Sequence, residues 1–77
     1  MSVMIEIYYA KPANSQLEEA LTSLVTRQSG RVTFREDDSP GTICLTAEFD
    51  SWEAAQAACT VIRATGQHVE GPSEYGK

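Results

Sequence analysis

Apolar and polar residues alternate along three stretches of this chain, and a period of two is typical of half-buried β-strands. The first stretch covers Val3–Tyr9, and the others cover residues 31–35 and 42–49. A shorter alternating stretch follows at residues 67–70. In each stretch one set of side chains is apolar and the other is mixed. The chain is therefore predicted to form four strands, each burying one side.

Between these stretches, apolar residues recur every three or four positions, which predicts two amphipathic helices. Asn14 or Ser15 is expected to cap the first helix, and Ser15 with Glu18 fits a capping box. Asp50 or Ser51 is expected to cap the second. A glycine in the left-handed conformation is expected to end each helix. The stripes and their glycines are Leu17, Ala20, Leu21, Leu24, Val25 and Gly30, then Ala55, Ala58, Cys59, Ile62 and Gly66.

The order of these elements predicts the fold. Residues Asp37–Gly41 are dense in turn formers, so the second and third strands are expected to form a hairpin. Right-handed crossovers and antiparallel pairing then favour the spatial strand order 4-1-3-2, with both helices on one face. This βαββαβ arrangement is a ferredoxin-like α+β fold. A single domain is predicted over residues 1–72, followed by a flexible tail at 73–77.

The predicted helices leave the other face of the sheet uncovered. Val32 and Phe34 are expected to point toward the helices, which places Arg31, Thr33 and Arg35 on the uncovered face. An antiparallel sheet can leave such a face to water. A domain of 77 residues gains only roughly 3–5 kcal/mol from one core, however, so burying this face against a second copy would stabilise it. The candidate ligand-binding or interface residues on this face are Met4, Glu6, Tyr8, Cys44, Thr46, Glu48 and His68.

The net charge, the lengths of the apolar runs and the two cysteines indicate which partners and which cellular compartment to expect. The formal net charge of −5 argues against nucleic acid and anionic membranes, which are bound by clustered Lys and Arg. No apolar run approaches the roughly 20 residues of a membrane span, and the N-terminus fits a strand better than a signal peptide. Cys44 and Cys59 are predicted on opposite sides of the sheet, so they are not expected to form a disulfide. Unpaired thiols favour the cytoplasm.

Several residues of the uncovered face could serve either a chemical or a purely structural role. Glu6, Glu48 and His68 could converge as an acid–base or metal site, or they could be solvated partners of arginines. Cys44 has no adjacent base or second cysteine in the sequence, which favours an inert thiol over a nucleophile. With one His and no Cys-x-x-Cys, neither a metal nor another cofactor is expected.

Several short segments resemble the antibiotic-biosynthesis monooxygenase-like group of dimeric α+β barrels. They are residues 5–12 (IEIYYAKP), 17–21 (LEEAL), 35–41 (REDDSPG) and 48–54 (EFDSWEA). The resemblance implies two subunits that pair through their sheets and a small-molecule cavity between sheet and helices. Some members oxidise aromatic substrates without a cofactor or degrade haem. Members often carry a His in the second helix, where this chain has Ala57–Thr60.

The sequence thus predicts a small homodimeric binding or interaction domain that can hold a small ligand at the sheet interface. The alternative is a cofactor-independent monooxygenase-like enzyme that uses Tyr8, Glu6, Glu48 and His68 as its polar pocket residues. A regulatory domain of the amino-acid-sensing type shares the same fold. In this chain, residues 10–14 (AKPAN) replace the glycine-rich ligand loop of that type.

Overall fold

A computed structural model describes residues 2–75 as four strands and two helices, which are β1 (Ser2–Ala10), α1 (Ser15–Arg27), β2 (Arg31–Glu36), β3 (Thr42–Phe49), α2 (Trp52–Ala64) and β4 (His68–Tyr75). The strands form one antiparallel sheet. Its order is β2-β3-β1-β4, which is the predicted order 4-1-3-2 counted from the opposite edge. The arrangement is consistent with a ferredoxin-like fold.

The core lies between the two helices and one face of the sheet. Alternate residues of β1 and β3 are buried on this face and lie opposite one another, as Ile5 does with Ala47 and Ile7 with Leu45. Both helices add buried residues of their apolar stripes to the same cluster, so they share one side of the sheet, as predicted. The predicted inward position of Ala20 is wrong, because this residue is exposed. The buried residues of this cluster are Val3, Ile5, Ile7, Leu21, Val25, Leu45, Ala47, Phe49, Ala55, Ala58, Cys59, Ile62 and Val69.

Both helices begin at a capping side chain. The Asn14 side chain accepts a hydrogen bond from the backbone N–H of Leu17 at 3.0 Å, and the Ser51 hydroxyl accepts one from Ala54 at 3.1 Å. Each cap satisfies a donor that has no partner within the helix. The predicted capping box between Ser15 and Glu18 is wrong, because the Glu18 carboxylate instead binds side chains from β1 and β2.

The edge strand β2 differs from the alternation that its sequence predicted. Val32 lies opposite the buried Ala47, but the register then shifts by one residue, so that Phe34 lies opposite Thr46. Such a bulge reverses the two faces of the strand beyond it. Phe34 is consequently on the uncovered face and 61% exposed, while Arg35 is on the helix side. The predicted inward position of Phe34 and outward position of Arg35 are therefore wrong.

The end of α1 also departs from the prediction. Ser29, and not Gly30, takes the left-handed conformation, with φ of 66°. Gly30 is required for another reason, since a Cβ at this position would lie 2.2 Å from the Phe49 ring. At the end of α2 the prediction is confirmed, because Gly66 has φ of 97°.

Strand β4 is longer than the sequence predicted. It continues past Glu70 to Tyr75, and the pairing with β1 shifts where Gly71 and Pro72 are accommodated. Residues 73–75 therefore belong to the sheet and not to a tail. The remainder of the predicted tail, residues 76 and 77, lies outside the described residues.

Candidate functional site on the open face of the sheet

The sheet face that points away from the helices, called the open face below, carries three rows of side chains. The register between neighbouring strands defines each row, counted from β2 across β3 and β1 to β4. The rows are Arg31, Glu48, Met4 and Ser73 (first row); Phe34, Thr46, Glu6 and Glu70 (middle row); and Glu36, Cys44, Tyr8 and His68 (third row). All seven residues predicted for the site lie in these rows.

The open face combines apolar side chains with carboxylates. Phe34 is its largest exposed apolar residue, and Met4, Tyr8 and Cys44 are half-buried. Four glutamates lie among these side chains, against a single arginine. The core of the domain lies on the opposite side of the sheet, so none of these side chains belongs to the core cluster. The face is thus an amphipathic surface suited to binding.

A compact polar cluster occupies the β1 and β4 side of the open face. The Tyr8 hydroxyl donates to Glu6 Oε1 at 3.2 Å, and His68 Nε2 lies 3.1 Å from Glu70 Oε2. The rings of Tyr8 and His68 are 5.5 Å apart between centroids and tilted by 44°. The predicted residues Glu6, Tyr8 and His68 therefore come together, with Glu70 as a fourth member.

Glu48 is separate from this cluster. Its carboxylate accepts hydrogen bonds of 3.2 Å from the hydroxyls of Ser2 and Thr33, and it lies 3.8 Å from the Arg31 guanidinium. Arg31 also lies 3.9 Å from Asp50. Glu48 thus joins three strands through its partners, and it does not converge with Glu6 and His68 as an acid–base site would require.

Tyr8 and Cys44 of the third row have raised pKa values, which favour their neutral forms. Partial burial, followed by the nearby Cys44 and Glu6, raises the pKa of the Tyr8 hydroxyl far above its ordinary value. Burial, followed by Glu6, also raises the pKa of the Cys44 thiol. Both groups therefore stay protonated at neutral pH, and Tyr8 remains a hydrogen-bond donor. A protonated thiol is a poor nucleophile, so the arrangement suits recognition better than covalent catalysis.

The described residues also bear on cofactors and disulfides. Within residues 2–75, no three His, Cys, Asp or Glu side chains are grouped so that they could hold a metal ion. Cys44 lies on the open face and Cys59 lies in the core, so the sheet separates them as predicted, and both are free.

Phe34 and Glu36 belong to the open face but were missing from the predicted site. Their positions follow from the bulge in β2, and the alternation of residues 31–35 gives no sign of it. The same bulge sends Arg35 to the helix side, where its Nε donates to both carboxylate oxygens of Glu18, at 2.9 and 3.1 Å. Tyr9 also donates to Glu18, so this carboxylate joins α1 to β1 and β2.

The pKa of Glu18 is lowered, chiefly by its hydrogen bonds from Arg35 and then by that from Tyr9. The stabilisation is therefore present above the ordinary value near 4.5 and is lost as pH falls through the lower folded value. We expect Glu18→Gln to reduce the free energy of unfolding at pH 7 by about 1 kcal/mol, a modest value because Arg35 is partly exposed. Urea unfolding should show this difference shrinking below pH 4.5.

Glu19→Gln is the matched control for that experiment, since Glu19 is an exposed neighbour on the same helix. Its unfolding free energy should differ little from that of the wild type at every pH. A Glu18→Gln effect of equal size at pH 3 and pH 7 would contradict an ionic role for this carboxylate.

No model of a known protein family matches this chain, and no curated protein is significantly similar to it in sequence. Neither helix of the described residues is both long and apolar enough to cross a membrane. The open face is therefore the feature of the molecule from which a function can be argued.

Proposed function

We propose that this protein is a homodimeric binding module whose two copies pair through their open faces and hold a small ligand between them. The observation that carries the proposal is the position of Phe34, a large apolar side chain that is 61% exposed on a face with Met4, Tyr8 and Cys44. Apolar side chains grouped on one exposed surface of a small domain are typical of an interaction site.

The size of the chain supports a second copy as the occupant. A domain of 77 residues has limited apolar area to bury, and self-association is a common source of added stability. Sheets that pack face to face interdigitate their side chains across a layer of about 10 Å. Pairing two open faces in this way would remove Phe34 and its apolar neighbours from water in both copies.

The dimensions of the sheet predict a weak dimer. Four strands spaced about 4.8 Å apart, with about seven paired residues each at about 3.4 Å, give a face on the order of 500 Å² per copy. Stable interfaces usually bury about 800 Å² per partner, so the pairing belongs to the weaker class. We expect a dissociation constant of about 1–100 µM.

The chemistry of the third row supports ligand binding within the dimer. Tyr8 and His68 present aromatic rings, and Glu6 and Glu70 present carboxylates beside them. Such a set complements a small molecule with a ring and a hydrogen-bond donor or positive charge. The resemblance to the monooxygenase-like dimeric barrels agrees with this proposal, and the two free thiols favour a reducing, cytoplasmic setting.

The test of the proposal is the mass of the protein in solution. We expect sedimentation analysis across about 1–100 µM to show a monomer–dimer equilibrium, and we expect Tyr8→Lys or Cys44→Lys to shift it toward monomer because each buries a charge in the interface. Circular dichroism should show the helices retained. Ser23→Lys is the control, since it adds the same charge on the exposed side of α1.

These experiments test dimerisation and ligand binding separately. A wild-type protein that stays monomeric throughout that range would contradict pairing through the open face. Equal loss of dimer in Ser23→Lys and Tyr8→Lys would assign the effect to net charge and would also contradict it. Native mass spectrometry of freshly purified protein tests the ligand, since a bound small molecule should be retained by the wild type and lost with Tyr8→Lys.

A further inference from the structure

We infer, resting on the proposed function, that the two copies are related by a two-fold axis that runs parallel to the strands and passes between β1 and β3. Sheets in face-to-face contact commonly keep their strand directions within about 30° of each other. Two directions of a two-fold axis produce that alignment. One is parallel to the strands, and the other is perpendicular to them within the plane of the interface.

The two axes bring different residues together. An axis parallel to the strands reverses the strand order of the partner, so that β3 faces the partner's β1 and β2 faces the partner's β4. Each row then meets the same row of the partner. A perpendicular axis places each strand opposite the same strand of the partner and exchanges the first row with the third, so that the middle row meets itself. The residues of the three rows therefore decide which arrangement suits the charges.

With the parallel axis, none of the four carboxylates of the rows meets another carboxylate. Glu6 faces the partner's Thr46, whose hydroxyl can donate to it, and Glu36 faces the partner's His68. The two others face apolar side chains, since Glu48 lies against the partner's Met4 and Glu70 lies against the partner's Phe34. Each contact occurs twice because the interface is isologous. In this arrangement no carboxylate of the rows faces another carboxylate across the interface.

With the perpendicular axis, like charges meet along the middle row, with Glu6 on the central strand β1 and Glu70 on the edge strand β4. Glu6 would face the same residue of the partner, and Glu70 would do likewise, because the middle row lies on the axis. The gains would be apolar contacts, of Phe34 with the partner's Phe34 and of Met4 with the partner's Tyr8, and contact between Arg31 and the partner's Glu36 at the rim. Carboxylates facing each other in a desolvated centre oppose association strongly, whereas exposed ion pairs contribute little. The charges therefore favour the parallel axis.

A charge-exchange cycle on Glu36 and His68 tests this arrangement. In one chain these residues lie at opposite edges of the sheet, about 14 Å apart at the usual strand spacing, so coupling between them must arise across the interface. We expect His68→Glu to weaken the dimer about tenfold, because it places two like-charged pairs across the interface. Adding Glu36→Lys should restore the wild-type dissociation constant or a tighter one, and Glu36→Lys alone should change it less than threefold.

A control cycle uses Arg31→Glu with Glu36→Lys, the pair that the perpendicular axis would bring together. It should show no coupling under the parallel axis. The arrangement is overturned if the wild type dimerises but His68→Glu and Glu36→Lys act independently, or if Arg31→Glu and Glu36→Lys are coupled. Failure of the wild type to dimerise contradicts the proposed function itself.

Discussion

Gly30→Ala is expected to lower the free energy of unfolding by about 3 kcal/mol, which is the upper range for forcing extra volume into a packed core. The added Cβ would lie 2.2 Å from Cε2 and 2.6 Å from Cδ2 of the fully buried Phe49 ring. The ring cannot shift freely, because Phe49 is packed within the core cluster. A domain of this size has little stability to lose, so urea denaturation should show a partly unfolded variant.

Two further variants identify the cause of this effect. Ser29→Gly should leave the protein as stable as the wild type or more stable by about 1 kcal/mol, because Ser29 has φ of 66° and glycine adopts this conformation without strain. In a Gly30→Ala/Phe49→Leu double variant the two losses should be less than additive, since the smaller side chain removes the clash. Additive losses would show that the Phe49 ring is not what requires glycine at position 30.

Phe34→Ala is expected to have little effect on folding and a large effect on association. The side chain is 61% exposed, so its removal should change the free energy of unfolding of the monomer by less than about 0.5 kcal/mol. The same change should weaken the dimer about tenfold or more, because Phe34 is the largest apolar side chain of the open face. Denaturation at low protein concentration measures the first effect, and sedimentation measures the second.

Phe49→Ala is the matched control for Phe34→Ala, since Phe49 is a fully buried residue of the adjacent strand. It should cost about 3–5 kcal/mol of stability, as removal of a buried aromatic ring usually does. A loss of that size in Phe34→Ala would place Phe34 in the core, as the simple alternation of β2 predicted, and would remove the main support for the binding surface. An unchanged dimer would place the interface elsewhere.

Much of the fold could be predicted because its signals are local. The alternation of β1 and β3 assigned each of their side chains to the correct face, and the helical stripes, except for the exposed Ala20, identified residues that pack on them. The seven predicted site residues consequently lie on the open face. Which of these residues contact one another could not be predicted, since this depends on the register between neighbouring strands. Glu48 is bound by Ser2 and Thr33, and Glu6 joins Tyr8 instead.

The errors arise where a residue's position depends on a distant part of the chain. The Thr33 position carries the register shift of β2, which is defined only by pairing with β3. It moves Phe34 to the open face and Arg35 toward Glu18. The extent of β4 depends in the same way on pairing with β1, which accommodates Gly71 by its shift in register. Short edge strands have few local constraints, so their sequences fix such shifts weakly.

The amino-acid sequence by itself determined the order of the elements, the strand order and the faces of the two central strands and both helices. The elements and their faces follow from the periods of two and of 3.6 residues, which are fixed by backbone geometry within each segment. The strand order follows from right-handed crossovers and antiparallel pairing. Only the tertiary structure decided that Phe34 faces outward, that Arg35 binds Glu18, and that Gly30 leaves room for Phe49. Each of these depends on contacts between residues far apart in the chain, which no local period encodes.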